Sequence, residues 1–184
     1  MEADWEFEIG VGAPVIEARW SGFVDLRAHP ERVSELSECR DLPGLAEALV
    51  RLNASGSPVW TSKTDVFPPE HIDADEIDAS AEEAASAIAC YIDMLPSDGS
   101  AWGNAHAAEQ TCRKLCASLR IIPLSRCRVD VVARRAMLGD AEGLGATVYF
   151  TACGEASSDA NVRLGACLNA FVDNLLSLNF ASRS

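Results

Sequence analysis

The chain has 184 residues, 48% hydrophobic and 23% charged, with a formal net charge of -13. That balance fits one soluble domain with a real core and argues against disorder over most of the length. It also repels a phosphate backbone, so nucleic acid and anionic membrane are not expected partners, whereas a basic protein, a cation or a neutral ligand is compatible.

The opening stretch MEADWEFEIG is acidic where a signal peptide is basic and then apolar. No apolar run reaches the roughly 20 residues of a membrane span. A cytoplasmic location is therefore expected. Trp5 lies near an element start, where partial exposure is expected.

The stretch VIEARWSGFVDL (15–26) reads as a strand, with Ile16, Ala18, Trp20, Val24 and Leu26 on one face and Glu17, Arg19, Ser21 and Asp25 mostly on the other. In HPERVSELSEC, Pro30 occupies a first-turn position of a helical period. A second helix follows Asp41 in LPGLAEALVRLNASG, where Asn53 and Gly56 are stop signals.

VWTSKTDVF (59–67) and IACYIDML (88–95) read as strands. Between them, residues 68–85 hold seven acids and no Lys or Arg, which predicts an exposed acidic loop with a short helix near 80–87. A helix is expected within AWGNAHAAEQTCRKLCASLR, with Ala105, Ala108, Cys112, Leu115 and Leu119 on its buried face and Trp102 partly exposed near its start. Strands at 127–138 and 145–153 are joined by GDAEGLG. A closing helix, DANVRLGACLNAFVDNLLSL, buries Leu164, Leu168, Phe171, Leu175 and Leu178.

This order predicts a single α+β domain over residues 1–184, with a mainly antiparallel sheet of about five strands and helices on one face. It resembles a ferredoxin-like β-α-β-β-α-β core extended by a C-terminal strand and helix. Such a likeness of architecture carries no function.

The period-two rule then assigns faces. Trp60, Val66, Ile88, Cys90, Ile92, Met94, Cys127, Val129, Val131, Ala133, Val148 and Phe150 turn toward the helices. Glu17, Arg19, Lys63, Asp65, Tyr91, Asp93, Arg128, Asp130, Arg134 and Tyr149 turn toward solvent. One candidate surface is thus the open sheet face, with Arg19, Lys63, Tyr91, Arg128 and Arg134. The other is the acidic loop, with Glu70, Asp73, Asp75, Glu76 and Asp78, whose concentrated field would steer a basic partner.

The expected function is non-catalytic protein interaction or ligand binding through one of these surfaces. The partner is expected to be a protein, or a second copy in a homodimer, and no cofactor is implied. The alternative is an enzyme. Asp65, Asp93 and Asp130 supply one carboxylate on each of three strands, and such a set could hold Mg or Mn for a phosphohydrolase or nucleotidyl transferase. The competing arrangement is a row of ion pairs, Lys63 with Asp93 and Asp130 with Arg19.

Other constellations fit poorly. The seven cysteines (39, 90, 112, 116, 127, 153 and 167) are odd in number and form no C-x-x-C, as expected of reduced core thiols. Cys112 and Cys116 share an apolar stripe from which His106 is turned away, which opposes a zinc set. The histidines at 29, 71 and 106 sit in no nucleophile motif, and LGDAEGLGAT lacks the Lys-Ser/Thr of a phosphate loop. Asp73, Asp75 and Asp78 begin like a calcium loop, but Ile77 and a missing glycine break the match.

Overall fold

A computed structural model describes residues 1–70, 72–97 and 102–178. Its elements, in chain order, are β1 (Glu2–Glu8), β2 (Val15–Ala18), α1 (Pro43–Leu52), β3 (Val59–Phe67), β4 (Ser86–Pro96), α2 (Ala105–Arg120), β5 (Cys127–Leu138), β6 (Ala141–Gly154) and α3 (Ser157–Ser177). Short 3-10 turns lie at Pro30–Glu35, Ser37–Cys39 and Asp75–Ile77.

The α+β class holds, and the sheet is mixed: its three central pairings are antiparallel, while β1 and β2 add a parallel edge. Six strands run in the order β1-β5-β6-β4-β3, and β2 continues the β1 edge along β5. Both β1 and β2 are parallel to β5, with Glu2 opposite Arg128 and Val15 opposite Arg135. A ferredoxin-like core would seat its first strand between the third and fourth. Here β6 takes that place, because the tight hairpin seats β6 directly beside β5 and leaves the N-terminal segment the outer edge.

That hairpin turns on Gly139 and Asp140 alone, with Gly139 at φ +60°. A positive φ at the first central residue suits a two-residue hairpin. Most of the expected GDAEGLG connection is therefore strand, and β6 begins at Ala141.

The N-terminal region departs from the expected element order in two places. EADWEFE forms β1, its Ala3, Trp5 and Phe7 packing toward the main core. The strand expected over 15–26 stops at Ala18. Arg19 adopts a left-handed φ of +64° and breaks the extended run, so Arg19 leaves the sheet and Trp20, expected in the core, is 38% exposed.

All three helices pack on one face. The main core joins Leu45, Leu49 and Leu52 of α1, Cys112, Leu115 and Leu119 of α2, and Leu164, Leu168 and Phe171 of α3 to Val129, Val131, Val148, Phe150 and Ile92 of the sheet. Phe150 meets Phe171 edge to face at 5.0 Å. Helices α1 and α3 approach at paired glycines, where a Cβ on Gly44 would lie 2.7 Å from the Gly165 Cα. Ala105, expected on the buried stripe of α2, is exposed in its first turn, and Asn104 caps that helix by accepting from the Ala107 amide at 3.0 Å. Trp102, expected to be partly exposed, is buried in the core.

Register along β3 shifts between Thr61 and Thr64, so Ser62 and Lys63 together oppose Asp93. A bulge of this kind reverses side-chain parity. Trp60 consequently turns away from the helices, against expectation, while Val66 still packs toward them. Trp60 instead joins Ile16, Ala18, Leu95 and Ala136 in a second apolar cluster on the other side of the sheet. Ser62 Oγ donates to the Glu17 carbonyl at 2.6 Å. The sheet is thus coiled until its two edges meet at one end.

Candidate functional site

The coil makes the helix-free face concave. Its closed end is the Trp60 cluster, capped by Phe23 and by the Arg27 guanidinium 4.0 Å from the Trp60 ring centroid. Its open end carries most of the polar residues that alternation turned away from the helices.

One row crosses five strands in register: Asp65, Tyr91, Tyr149, Asp130 and Asp4. Tyr91 and Tyr149 stand side by side with ring centroids 5.9 Å apart, and both are half-buried. Burial is the main cause that raises the Tyr91 pKa, aided by the nearby Asp93 and Asp65 carboxylates. Arg134 lies 5.7 Å from the Tyr149 centroid, within cation–π range.

The next row centres on Asp93, only 7% exposed rather than on a wet surface. Asp93 Oδ1 accepts from Thr147 Oγ1 at 2.6 Å, and that hydroxyl accepts from Arg134 Nη1 at 3.2 Å. Burial pushes the Asp93 carboxyl up, opposed by the Thr147 hydrogen bond and the charges of Arg134 and Lys63. Arg134 also donates from Nε and Nη2 to Glu8 Oε2 at 3.1 and 2.7 Å. Val132, which interrupts the charged row of β5, is 3% exposed beside them.

Arg128 forks onto Asp130 through Nε and Nη2 at 2.8 Å, and its Nη1 reaches Glu76 at 3.3 Å. The Asp130 fork is the main cause that holds the Arg128 pKa up. Asp130 therefore pairs with its strand neighbour, not with Arg19 as the open-face arrangement expected.

The three aspartates of the enzyme alternative are spread out. Asp65 and Asp130 are separated by the two tyrosine strands, about 14 Å along the sheet at normal strand spacing. Asp93 sits in a different row, on Thr147. Among the described residues, no group of three or more His, Cys, Asp or Glu is arranged to hold a metal ion.

The acidic stretch is more tightly held than a solvated loop. Ile77 is 2% exposed, Glu76 pairs with Arg128, and Glu83 pairs with Arg126. The expected helix near 80–87 is a set of turns running into β4 at Ser86. Glu70, Asp73, Asp75, Glu76 and Asp78 are all exposed, so the segment forms an acidic rim beside the start of β5. His71 lies outside the described residues.

All seven cysteines are free and buried. Cys112 and Cys116 belong to the main core, while His106 is exposed and hydrogen-bonded to Gln110. His29 is exposed beside Glu31.

Sequence reasoning missed the contribution of β1. Asp4, Glu6 and Glu8 face the same side as Arg128, Asp130 and Arg134, and the two strands form a groove of about 440 Å³ lined also by Tyr149. The signal was present, since EADWEFE alternates acids with apolar residues at strand period. No helix among the described residues is long and apolar enough to cross a membrane. No family model, curated protein or solved structure matches the chain.

Proposed function

We propose that this chain is a non-catalytic protein-binding domain that engages a basic partner through the concave sheet face and its acidic rim. The observation that carries this reading is the Arg128 bridge. Arg128 holds Asp130 on the face and Glu76 on the rim, making them one surface with the Tyr91–Tyr149 pair at its centre. Half-buried aromatics and forked arginines supply contact area with little conformational freedom left to lose. The rim adds a field that accelerates encounter with a positive surface.

A homodimer through the same face is the competing partner. It would press two acidic rims together on chains that each carry a net charge of -13, a repulsion that favours a basic protein. The test compares retention of proteins on the immobilised full chain, on Tyr149→Ala, and on a variant with Asp73, Asp75, Glu76 and Asp78 neutralised, each checked for an intact melting transition. A basic protein held at low salt, released as salt rises and lost by both variants is expected. Equal retention by all three chains would refute the surface, and a concentration-dependent dimer in light scattering would replace the basic partner with a second copy.

A further inference from the structure

We infer that the groove between β1 and β5 receives an arginine or lysine side chain of the basic partner, with Glu6 and Tyr149 as its contacts. This rests on the concave face being a protein-binding surface and adds the chemistry of its recognition.

The groove has one carboxylate to spare, because Asp4 pairs with Arg120 at 3.4 Å and Asp130 and Glu8 are held by Arg128 and Arg134. Four acids and two arginines line it, and both arginines are engaged: Arg128 by Asp130 and Glu76, Arg134 by Glu8 and Thr147. Glu6 stands between Asp4 and Glu8 on the same edge, exposed and without an ion pair among the described residues. A cation entering here would meet Glu6 and the ring of Tyr149, which already has Arg134 as a neighbour. Carboxylate with aromatic surface is the chemistry that recognises a guanidinium or ammonium group.

Two observations favour a protein side chain over a small cation. The segment after Glu8, IGVGAPV, is uncharged and interrupts the edge strand as an exposed turn. On it Ile9 is 40% exposed and Val11 fully so, an apolar contact beside the groove that a metal ion or free amine would leave unused. The acids lining the groove are, moreover, not arranged as a metal site.

The experiment is a titration of the ¹⁵N-labelled full chain with a hexa-arginine peptide at low salt, read by amide shifts. Saturable shifts are expected at residues 4–8, 130–134 and 149. Glu6→Gln should weaken binding about fivefold, the equivalent of one partly exposed ion pair. Glu17→Gln, an exposed acid on the far side of β2, should leave it unchanged. Shifts confined to residues 70–78, equal weakening by Glu17→Gln, or no saturable binding would overturn the assignment. Magnesium alone reproducing the shifts would transfer the site to a metal. A partner retained through Tyr149 but indifferent to Glu6→Gln would leave the concave face standing and remove only this groove.

Discussion

Ser62 on β3 donates its hydroxyl to the backbone carbonyl of Glu17 on β2, so residues from opposite edges of the sheet are 2.6 Å apart. This contact marks where a sheet that would otherwise show two open edges closes on itself. The closure needs close approach over β6. A Cβ on Gly145 would lie 2.6 Å from the Met94 carbonyl and 3.1 Å from Ile16 Cδ1.

Gly145→Ala should therefore loosen the closed end. Its φ lies outside the left-handed range, so the penalty is steric, and overpacking of this kind costs about 1–3 kcal/mol. Urea denaturation should show a lower midpoint, with faster amide exchange at residues 16–18 and 60–62. An unchanged midpoint would mean that the strands separate freely and that the coil is not held by this contact.

Asp93→Asn should stabilise the protein at neutral pH. Burial raises the Asp93 pKa in the fold, so the native state binds its proton more tightly than the unfolded chain does. Stability from this group therefore falls as pH rises from the ordinary carboxylate value through the raised one, and stays reduced above it. The asparagine removes that burden and can still accept from Thr147. The melting temperature of the variant should exceed the parent's at pH 7, with the gap closing toward acid pH. A gap that widens on acidification would contradict the burial argument.

Thiol reagents should find no fast cysteine in the native chain. All seven cysteines are buried, and burial pushes Cys39 up to about 11 and Cys90, Cys112 and Cys116 up to about 12; the Cys167 thiol beside Cys127 draws that one down, so its protection rests on burial alone. Reactivity requires thiolate and access together. Titration at pH 8 should detect thiols only as the chain unfolds, seven in denaturant. A rapid native burst would show an open thiol and bring cysteine chemistry back into consideration.

Ile77→Ala should free the acidic rim before it unfolds the domain. Ile77 is the buried anchor of a segment whose other ties are half-exposed ion pairs. Truncating a buried isoleucine costs about 2–5 kcal/mol, whereas such pairs contribute about 0–1 kcal/mol. Hydrogen exchange should accelerate at residues 72–85 with the α3 core still protected. Uniform acceleration would instead make the rim part of the global folding unit.

Much of the architecture was legible because alternation and helical period are local. VWTSKTDVF and CRVDVVARRAML form strands with the expected bounds, and Cys127, Val129, Val131 and Ala133 are all buried. The faces of β3 were not legible, since the bulge at Ser62 and Lys63 arises from pairing with β4 and reverses Trp60 without any change of pattern. The site divided in the same way. Alternation identified Lys63, Tyr91, Arg128 and Arg134 as polar positions on strands, but pairing chose their neighbours.

Local pattern dictates which side chains alternate, which helices are amphipathic, that the thiols are suited to the core, and where the acids gather. These are consequences of backbone period and of burying apolar surface, and each is encoded within a few adjacent residues. Long-range pairing makes β1 and β2 run parallel to β5, puts β6 at the centre, and buries Asp93 while Asp130 is tied to Arg128. Strand order and sheet coil depend on contacts between distant segments. Ser62 and Glu17 are 45 positions apart, a separation at which no local pattern constrains the partner.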